Sequence, residues 1–153
     1  MPDTGRPYLS MAVLCEKVLQ EPDGVPSLVR IVDRVIINTV PPTTISSQLG
    51  TQTSSTISLT LALMFKAGAA RGQKALTIRL SRPSGLRLPE TTLPLLFEGD
   101  DDRGINIFLP FVLGIQEMGI YWFDLDLDGE LVGRIPLRIV NQQVSVSTPP
   151  ILG

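Results

Sequence analysis

The feature of this sequence that most constrains its fold is an alternation of apolar and other residues with a period of two. The alternation recurs along nearly the whole chain, and Gly, Pro and Asp interrupt it at intervals. Successive side chains of a β-strand point to opposite faces, so this period is typical of strands that bury one face. No long segment shows the 3.6-residue apolar stripe of a helix. The sequence therefore predicts an all-β protein.

The spacing of the alternating segments also predicts an architecture. Seven strands are expected, at residues 9–20, 27–38, 57–66, 74–82, 105–115, 119–127 and 131–140. Two weaker segments, near 92–97 and 143–147, are further candidates. This pattern is typical of a single antiparallel β-sandwich, immunoglobulin-like or C2-like and of Greek-key type, with seven to nine strands. We expect one domain over residues 1–153, with flexible residues 1–7 and a C-terminal tail at 143–153.

Two connections have distinctive compositions. Residues 41–55 are rich in Thr, Ser and Gln, which predicts a long polar crossover between sheets or a mobile loop. Residues 68–72 are rich in Gly and Ala but lack the Gly-Lys-Ser/Thr ending of a phosphate-binding loop. They predict a hairpin turn between the strands at 57–66 and 74–82.

The clearest local signal is a hairpin around Pro22-Asp23-Gly24. Pro presets φ for the first turn position and Gly accepts the left-handed conformation, so a three-residue loop is expected. That loop places Glu16 opposite Arg30, where the two charges support each other, and Cys15 opposite Ile31. The odd-numbered residues then form a core face. Its apolar members are Leu9, Met11, Val13, Cys15, Leu19, Val29, Ile31, Val35 and Ile37.

Two charged residues, Lys17 and Asp33, fall on this predicted core face. A buried carboxylate needs hydrogen bonds or a cationic partner. We therefore expect Asp33 to accept hydrogen bonds from backbone N–H groups or from an arginine. A ligand-binding or catalytic role for Asp33 is the alternative.

Two parts of the chain resemble a known family. The first runs from Val13-Leu14-Cys15-Glu16-Lys17-Val18 through Asp23-Gly24, Ser27-Leu28 and Ile31 to Asp33-Arg34. The second contains Gly119, Tyr121, Phe123, Asp128-Gly129 and Pro136-Leu137. Both are similar to an uncharacterised family of small bacterial β-sandwich proteins. The resemblance implies a sandwich fold and assigns no activity or binding residue.

Composition excludes several kinds of chemistry. The chain has no histidine, which removes Ser-His-Asp and Cys-His catalysis and imidazole metal sites. Its single cysteine excludes an intramolecular disulfide and a thiolate zinc cluster. With a net charge of −2 and few aromatic residues, the chain has no pattern that predicts nucleic-acid binding. We expect a cytoplasmic protein with no cofactor and no membrane contact, since no apolar run reaches the roughly 18–20 residues that span a bilayer.

Residues Asp124 to Gly129 read Asp-x-Asp-x-Asp-Gly, like the opening of an EF-hand calcium loop. The twelfth position of such a loop would be Ile135 rather than a bidentate glutamate, and the preceding residues predict a strand rather than a helix. The alternation offers a simpler interpretation, in which the aromatic and leucine residues point inward and the aspartates outward. Calcium binding at this motif is the alternative.

The register of this last hairpin is ambiguous in the sequence. A two-residue turn at Asp128-Gly129 would pair Phe123 with Arg134 and turn the apolar residues of the next strand outward. A register shifted by one residue, through a loop of odd length, pairs Phe123 with Ile135 and Asp124 with Arg134. We prefer the shifted register, because a one-residue slip exchanges the two faces of a strand.

A second acidic group comprises Glu98, Asp100, Asp101 and Asp102. Carboxylates on sandwich loops bind calcium in C2-type domains, so this loop is an alternative metal site, with Asp100, Asp101 and Asp102 as ligands. No spacing predicts a catalytic carboxylate pair, a serine nucleophile or a phosphate loop. An enzyme, specifically a carboxylate-based hydrolase, is therefore the least favoured reading.

Apolar residues make up 43% of the chain and charged residues only 18%, which favours apolar surface that meets a partner. Trp122 is a candidate interface residue, since an exposed Trp is a good anchor, although a loop or the tail could cover it. The tail contributes the other candidates, Val144, Val146, Ile151 and Leu152, which could pair with a sheet edge. The sequence thus predicts a non-enzymatic module that binds a protein partner or itself through sheet edges and loops. The alternative is a sandwich that binds calcium or a small ligand at residues 98–102.

Overall fold

The computed structural model describes residues 5–39, 55–99 and 103–143. Within these ranges the chain forms nine strands and no helix, which confirms the all-β prediction. The strands are β1 (Tyr8–Gln20), β2 (Pro26–Val32), β3 (Arg34–Thr39), β4 (Ser55–Lys66), β5 (Arg71–Ser81), β6 (Thr91–Glu98), β7 (Gly104–Ile115), β8 (Gly119–Leu127) and β9 (Glu130–Gln143). The weak strand expected near 92–97 is therefore real, and most of the one expected at 143–147 lies outside the described residues.

The nine strands form two sheets. One has four strands in the order β2-β1-β4-β7, and the other has five in the order β3-β9-β8-β5-β6. Every pair is antiparallel except β3 and β9, which run parallel. Buried residues of both sheets, such as Leu63 and Phe65 on β4 and Tyr121 on β8, form one hydrophobic cluster. The predicted β-sandwich is confirmed.

The register of the first hairpin is also confirmed. Cys15 pairs with Ile31, and Arg30 Nε lies 2.9 Å from Glu16 Oε1. Gly24 has a φ of 84° and donates its N–H to the carbonyl of Glu21 at 2.9 Å, so the turn uses glycine where a left-handed residue is required.

The predicted core face of β1 is largely wrong, because β1 contains a bulge at Ser10. Leu9 pairs with Phe65 while Met11 pairs with Met64, so Ser10 is an extra residue and the faces exchange after it. Leu14, which was assigned to the other face, is only 1% exposed. Ile31, which was assigned to the core, is 63% exposed. Other residues assigned to the core face are also exposed: Lys17, Leu19 and Val29.

The strand predicted at 27–38 is two strands that belong to different sheets. β2 pairs with β1, and after a bend at Asp33 the chain continues as β3 beside β9. The Asp33 carbonyl accepts the N–H of Arg138 at 3.1 Å, which secures the start of the new pairing. The Asp33 side chain is exposed at this bend, so its placement on the core face was wrong. Val35 and Ile37 pack inward from the second sheet.

The Gly-rich segment does not form the predicted hairpin. β4 lies in the four-stranded sheet and β5 in the five-stranded sheet, so residues 67–70 carry the chain across the sandwich. Ala67 and Ala70 are buried at this end of the core, where larger side chains have little room. Residues 40–54 lie outside the described part of the chain. The strands that flank them, β3 and β4, belong to different sheets, in agreement with the predicted crossover.

The shifted register of the last hairpin is confirmed, but its cause differs from the prediction. Phe123 pairs with Ile135 and Asp124 with Arg134. The loop is the two-residue turn Asp128-Gly129, with left-handed φ values of 49° and 83°. A bulge next to Leu125 shifts the register instead. As expected, the inward-facing residues of β8 are buried: Tyr121, Phe123, Leu125 and Leu127.

Candidate interaction surfaces

The outer face of the four-stranded sheet is largely apolar. On β4 the side chains of Leu61, Leu63 and Phe65 are buried in the core, so Ala62 and Met64 point away from it. The register of β4 with β1 and β7 places further apolar residues on the same side. We call this surface the apolar face, formed by Met11, Val13, Cys15, Ile31, Ala62, Met64, Phe108, Pro110 and Val112.

Exposure varies across the apolar face. Val112 is 69% exposed and Ile31 is 63% exposed, so both project into solvent. Ala62 and Cys15 are fully covered by their neighbours. Burial raises the pKa of the Cys15 thiol, which makes the reactive thiolate scarce. Cys15 is therefore buried, as predicted, but it lies in the outer layer of the four-stranded sheet rather than in the central cluster.

Charged residues occupy only the ends of this face. Lys17 lies near one end, where Glu16 also lines a groove with Pro110 and Val112. Lys66 lies near the other end, level with Tyr8. Between them, the outward positions of the described strands carry apolar or small uncharged side chains. The sequence held a signal for this surface: the runs Met11–Leu14 and Leu61–Phe65 are apolar at both parities, which indicates strands that are apolar on both faces.

Three of the four edge strands, β2, β6 and β7, are poorly suited to accept another strand, whereas the fourth, β3, contains no proline. β7 and β6 are edge strands, and each has a proline near its middle, Pro110 and Pro94. Proline has no N–H to donate, and in sheets it is found where its nitrogen faces away from the neighbouring strand. On the edge strand β2, Arg30 has a left-handed φ of 56°, which distorts the edge. The edges therefore favour pairing less than the sequence suggested.

The outer face of the five-stranded sheet is charged instead. Arg79 contacts two carboxylates, with Nε 2.9 Å from Glu90 Oε1 and Nη1 2.5 Å from Asp126 Oδ2. The Asp126 side chain is only 5% exposed. It lies on the predicted outer face, but its neighbours shield it from solvent. This arrangement satisfies a buried charge with a cation, so we assign it a structural role.

Trp122 lies on this same charged face. The guanidinium carbon of Arg134 lies 4.3 Å from the centre of the Trp122 ring, and Arg134 Nε also contacts Asp124 Oδ1 at 2.7 Å. The ring is half-buried, and the guanidinium of Arg134 lies over it. The other predicted interface residues, Val144, Val146, Ile151 and Leu152, lie outside the described residues.

The three aspartates of the Asp-x-Asp-x-Asp-Gly motif have separate partners. Asp124 contacts Arg134 and Asp126 contacts Arg79. Asp128 accepts the N–H of Ala75 at 2.8 Å, and this hydrogen bond, aided by Lys74, lowers the pKa of the Asp128 carboxyl. Among the described residues, no group of three or more acidic or cysteine side chains is placed to hold a metal ion.

The acidic loop is only partly described. Glu98 forms an ion pair with Arg103, while Asp100, Asp101 and Asp102 lie outside the described residues. Glu98 is level with Arg71 on β5, whereas Asp128 is bonded to Ala75 four residues further along. At about 3.3 Å per residue, this separation is roughly 13 Å, so Glu98 and Asp128 are not brought together.

A groove of about 830 Å³ lies where the chain changes sheets at Asp33. Glu16 and Asp33 both line it, and Glu16 is held by Arg30 at 2.9 Å. Both carboxylates belong to exposed residues. Across the described ranges, the chain has no helix of the length and apolarity needed to span a membrane.

Two solved structures are similar to this chain at very low sequence identity. An alkylpurine DNA glycosylase from Pseudomonas fluorescens, bound to DNA containing an abasic site analogue, is 10% identical with a TM-score of 0.39; the match covers 84% of this chain and 30% of that one. An immunoglobulin-like protein from Pseudomonas aeruginosa is 8% identical with a TM-score of 0.38. The match covers 90% of this chain and 98% of that one. This chain thus spans about 30% of the length of the glycosylase.

No curated protein has a sequence significantly similar to this chain. A family model does match it, over residues 10–140, which include all of β2 to β8 and most of β1 and β9. The matched segment contains both hairpins on which the resemblance rests. The chain therefore belongs to DUF6941, a family of unknown function.

Proposed function

We propose that the protein is a non-enzymatic self-assembly module whose apolar face packs against the apolar face of a second copy. The observation that carries this proposal is the exposure of large apolar residues on a sheet face whose charges lie toward its ends, with Val112 69% and Ile31 63% exposed. Contiguous apolar patches with polar surroundings mark interaction sites on most proteins. The proposal places the contact on a sheet face instead of the edges and loops that the sequence suggested.

A second copy is the occupant that best matches the chemistry of this face. In a two-fold dimer the same patch meets itself, so any charge near its centre would meet a like charge. Here the charges lie toward the two ends, Lys17 and Glu16 at one and Lys66 at the other. The centre contains Val13, Ala62 and Phe108. The prolines in β6 and β7 disfavour strand addition at those two edges, which supports a closed dimer through the apolar face over a fibre built on them.

The size of the face sets the expected strength of the dimer. Four strands about 4.8 Å apart and about eight residues of about 3.3 Å each define roughly 500 Å² per copy. Stable dimers of standard size bury about 800 Å² per partner. We therefore expect a weak, reversible dimer, with dissociation in the micromolar range or above.

The test is the molar mass in solution across concentration, measured by light scattering or sedimentation. Wild type is expected to change from monomer to dimer as its concentration rises. Val112→Lys and Ile31→Lys each place two like charges at the dimer contact and are expected to give a monomer. Leu96→Lys is the matched control, because Leu96 is also 63% exposed but lies on the other sheet.

Three results would contradict the proposal. The first is a wild-type protein that stays monomeric up to millimolar concentration. The second is a dimer that survives both lysine substitutions, which would place the contact elsewhere. The third is a dimer that Leu96→Lys disrupts as strongly as Val112→Lys, which would show a general effect of added charge.

A further inference from the structure

Among the described strands, β3 offers the edge best suited to pair with a further strand. It lies at the end of the five-stranded sheet, where β9 is its neighbour. In contrast to β2, β6 and β7, it has neither a proline nor a residue with a left-handed φ. Arg34, Val35 and Ile36 line the groove at the change of sheets, and Ile36 is 54% exposed. The described residues therefore leave this edge accessible.

The backbone groups that point to the open edge follow from the pairing of β3 with β9. Arg34 is the register partner of Arg138, and the N–H of Arg138 donates to the Asp33 carbonyl at 3.1 Å. Along a strand, the backbone groups of successive residues point alternately to the two sides within the sheet. The odd-numbered residues of β3 therefore face β9. The even-numbered residues direct their N–H and C=O groups to the open edge: Arg34, Ile36 and Asn38.

The side chains of β3 determine what an added strand must bring. Val35 packs against the core cluster, and Ile37 is buried within it at 8% exposure. Because side chains alternate along a strand, Arg34 and Ile36 lie on the outer face. Residues of an added strand that lie opposite Val35 and Ile37 would extend the core and should be apolar. The residues between them would lie on the outer face.

Two arginines stand side by side on the outer face at this edge. Arg34 and Arg138 are register partners, and both are exposed. Leu137 and Ile139 are buried, so Arg138 points outward as Arg34 does. Neither guanidinium forms an ion pair with a described residue, and adjacent like charges repel each other. A carboxylate beside Arg34 relieves this repulsion, so the edge favours an acidic strand.

We propose that β3 binds an extended acidic segment of another protein as a sixth, antiparallel strand of the five-stranded sheet. In that arrangement the residue opposite Ile36 exchanges two backbone hydrogen bonds with it, and the residues opposite Arg34 and Asn38 do the same. The acidic residue lies opposite Arg34, two positions after the residue opposite Ile36. Apolar β-branched residues lie opposite Val35 and Ile37.

A second copy of β3 does not fit this edge as well as an acidic strand. Two antiparallel copies centred on Ile36 place Arg34 of each opposite Asn38 of the other, and β3 contains no acidic residue. Neither arginine would gain a carboxylate. The edge of β3 lies in the five-stranded sheet and the apolar face in the four-stranded sheet, so this interaction is separate from the dimer proposed above.

The probe is the acetylated and amidated peptide Thr-Val-Thr-Val-Glu, titrated to millimolar concentration into isotope-labelled protein and followed by NMR. We expect it to shift the amide signals of Ile36 and Asn38 and to slow the hydrogen exchange of both, because their N–H groups gain acceptors. Thr-Val-Thr-Val-Lys is expected to bind about tenfold more weakly, since it adds a cation beside Arg34. Glu-Val-Thr-Val-Thr places the acid opposite Asn38 and is expected to bind about threefold more weakly.

Variants separate charge recognition from backbone pairing. Arg34→Glu is expected to reverse the preference, so that the lysine peptide binds more tightly than the glutamate peptide. Arg87→Glu makes the same change of charge beside Ser81 on β5 and leaves the preference unchanged. Ile36→Pro removes an outward N–H without removing a bond to β9 and is expected to weaken binding at least about tenfold. Leu96→Pro, on the other edge strand of the same sheet, is the matched control.

Any of three results overturns the proposal. Equal affinities for the glutamate and lysine peptides, or a preference that Arg34→Glu does not reverse, would remove the charge recognition. Peptide shifts at Ile31 on the apolar face in place of Ile36 would move binding to the other sheet. Absence of any shift at millimolar peptide would remove the site. Circular dichroism checks that each variant folds, and if Ile36→Pro does not, the comparison with Arg34→Glu still decides.

Discussion

Gly104, the first residue of β7, passes so close to β4 that a Cβ atom at this position would lie 2.6 Å from the carbonyl oxygen of Phe65. A backbone atom of a central strand cannot move aside as a flexible side chain can. Gly104→Ala is therefore expected to destabilise the protein by about 1–3 kcal/mol. Gly114→Ala in the same strand has nothing within 4 Å of the new Cβ and is expected to be neutral or slightly stabilising. Urea unfolding midpoints measure both, and equal midpoints would contradict the close approach.

Arg79 and Asp126 form an ion pair, and removing Arg79 is expected to destabilise the protein more than removing Asp126. Arg79→Met leaves the Asp126 carboxylate buried without a cation and is expected to cost about 3–5 kcal/mol. Asp126→Leu leaves Arg79 with its second partner, Glu90 at 2.9 Å, and with 31% side-chain exposure. Its cost should therefore be smaller. Urea unfolding measures the loss of stability in each variant. A larger loss for Asp126→Leu than for Arg79→Met would contradict this prediction.

Asp128 gives the folded state a defined dependence on pH. The hydrogen bond from the Ala75 N–H, assisted by Lys74, holds the pKa of Asp128 below its ordinary value. A carboxyl with a lowered folded-state pKa contributes stability above its unfolded pKa of about 4, and this stability is lost as the pH falls through the folded value. The difference in melting temperature between wild type and Asp128→Asn is therefore expected to be largest near neutral pH and to shrink below about pH 4. A difference that is constant with pH would assign the effect to the turn rather than to the charge.

Cys15 is expected to resist thiol reagents in the folded protein. It is fully buried, and burial raises its pKa, so both access and thiolate formation are suppressed. At pH 8 we expect labelling at least about a hundredfold slower than in the unfolded chain, with a rate that rises with denaturant as the sheet opens. Rapid labelling without denaturant would mean that β1 opens locally, which would also weaken the case for a rigid apolar face.

The sequence predicts local features of this fold well. Turn chemistry at Pro22-Asp23-Gly24 fixes the first register, because few loop geometries accommodate those residues. The register of the last hairpin follows from the need to bury Phe123 and Ile135 together, although the sequence did not reveal that a bulge produces it.

Features that depend on distant partners were not predictable. The bulge at Ser10 is defined against β4, about fifty residues away, and it exchanges the faces of β1. The change of sheet at Asp33 depends on β9, a hundred residues further on. Since both decide which side of a strand meets solvent, the apolar face was missed and Ile31 was assigned to the core.

The parallel pair of β3 and β9 has a consequence for synthesis of the chain on the ribosome. β3 ends at Thr39, yet the segment of β9 that pairs with it begins at Arg138, and β9 is made last among the described strands. Until β9 emerges, β3 has no neighbour in its sheet, and the apolar residues Val35 and Ile37 have no complete core to enter. Contacts over such separations form slowly and leave unpaired strands exposed in the meantime. About a hundred further residues must therefore be synthesised while β3 remains unpaired. A chaperone that contacts the nascent chain is expected to bind residues 34–39.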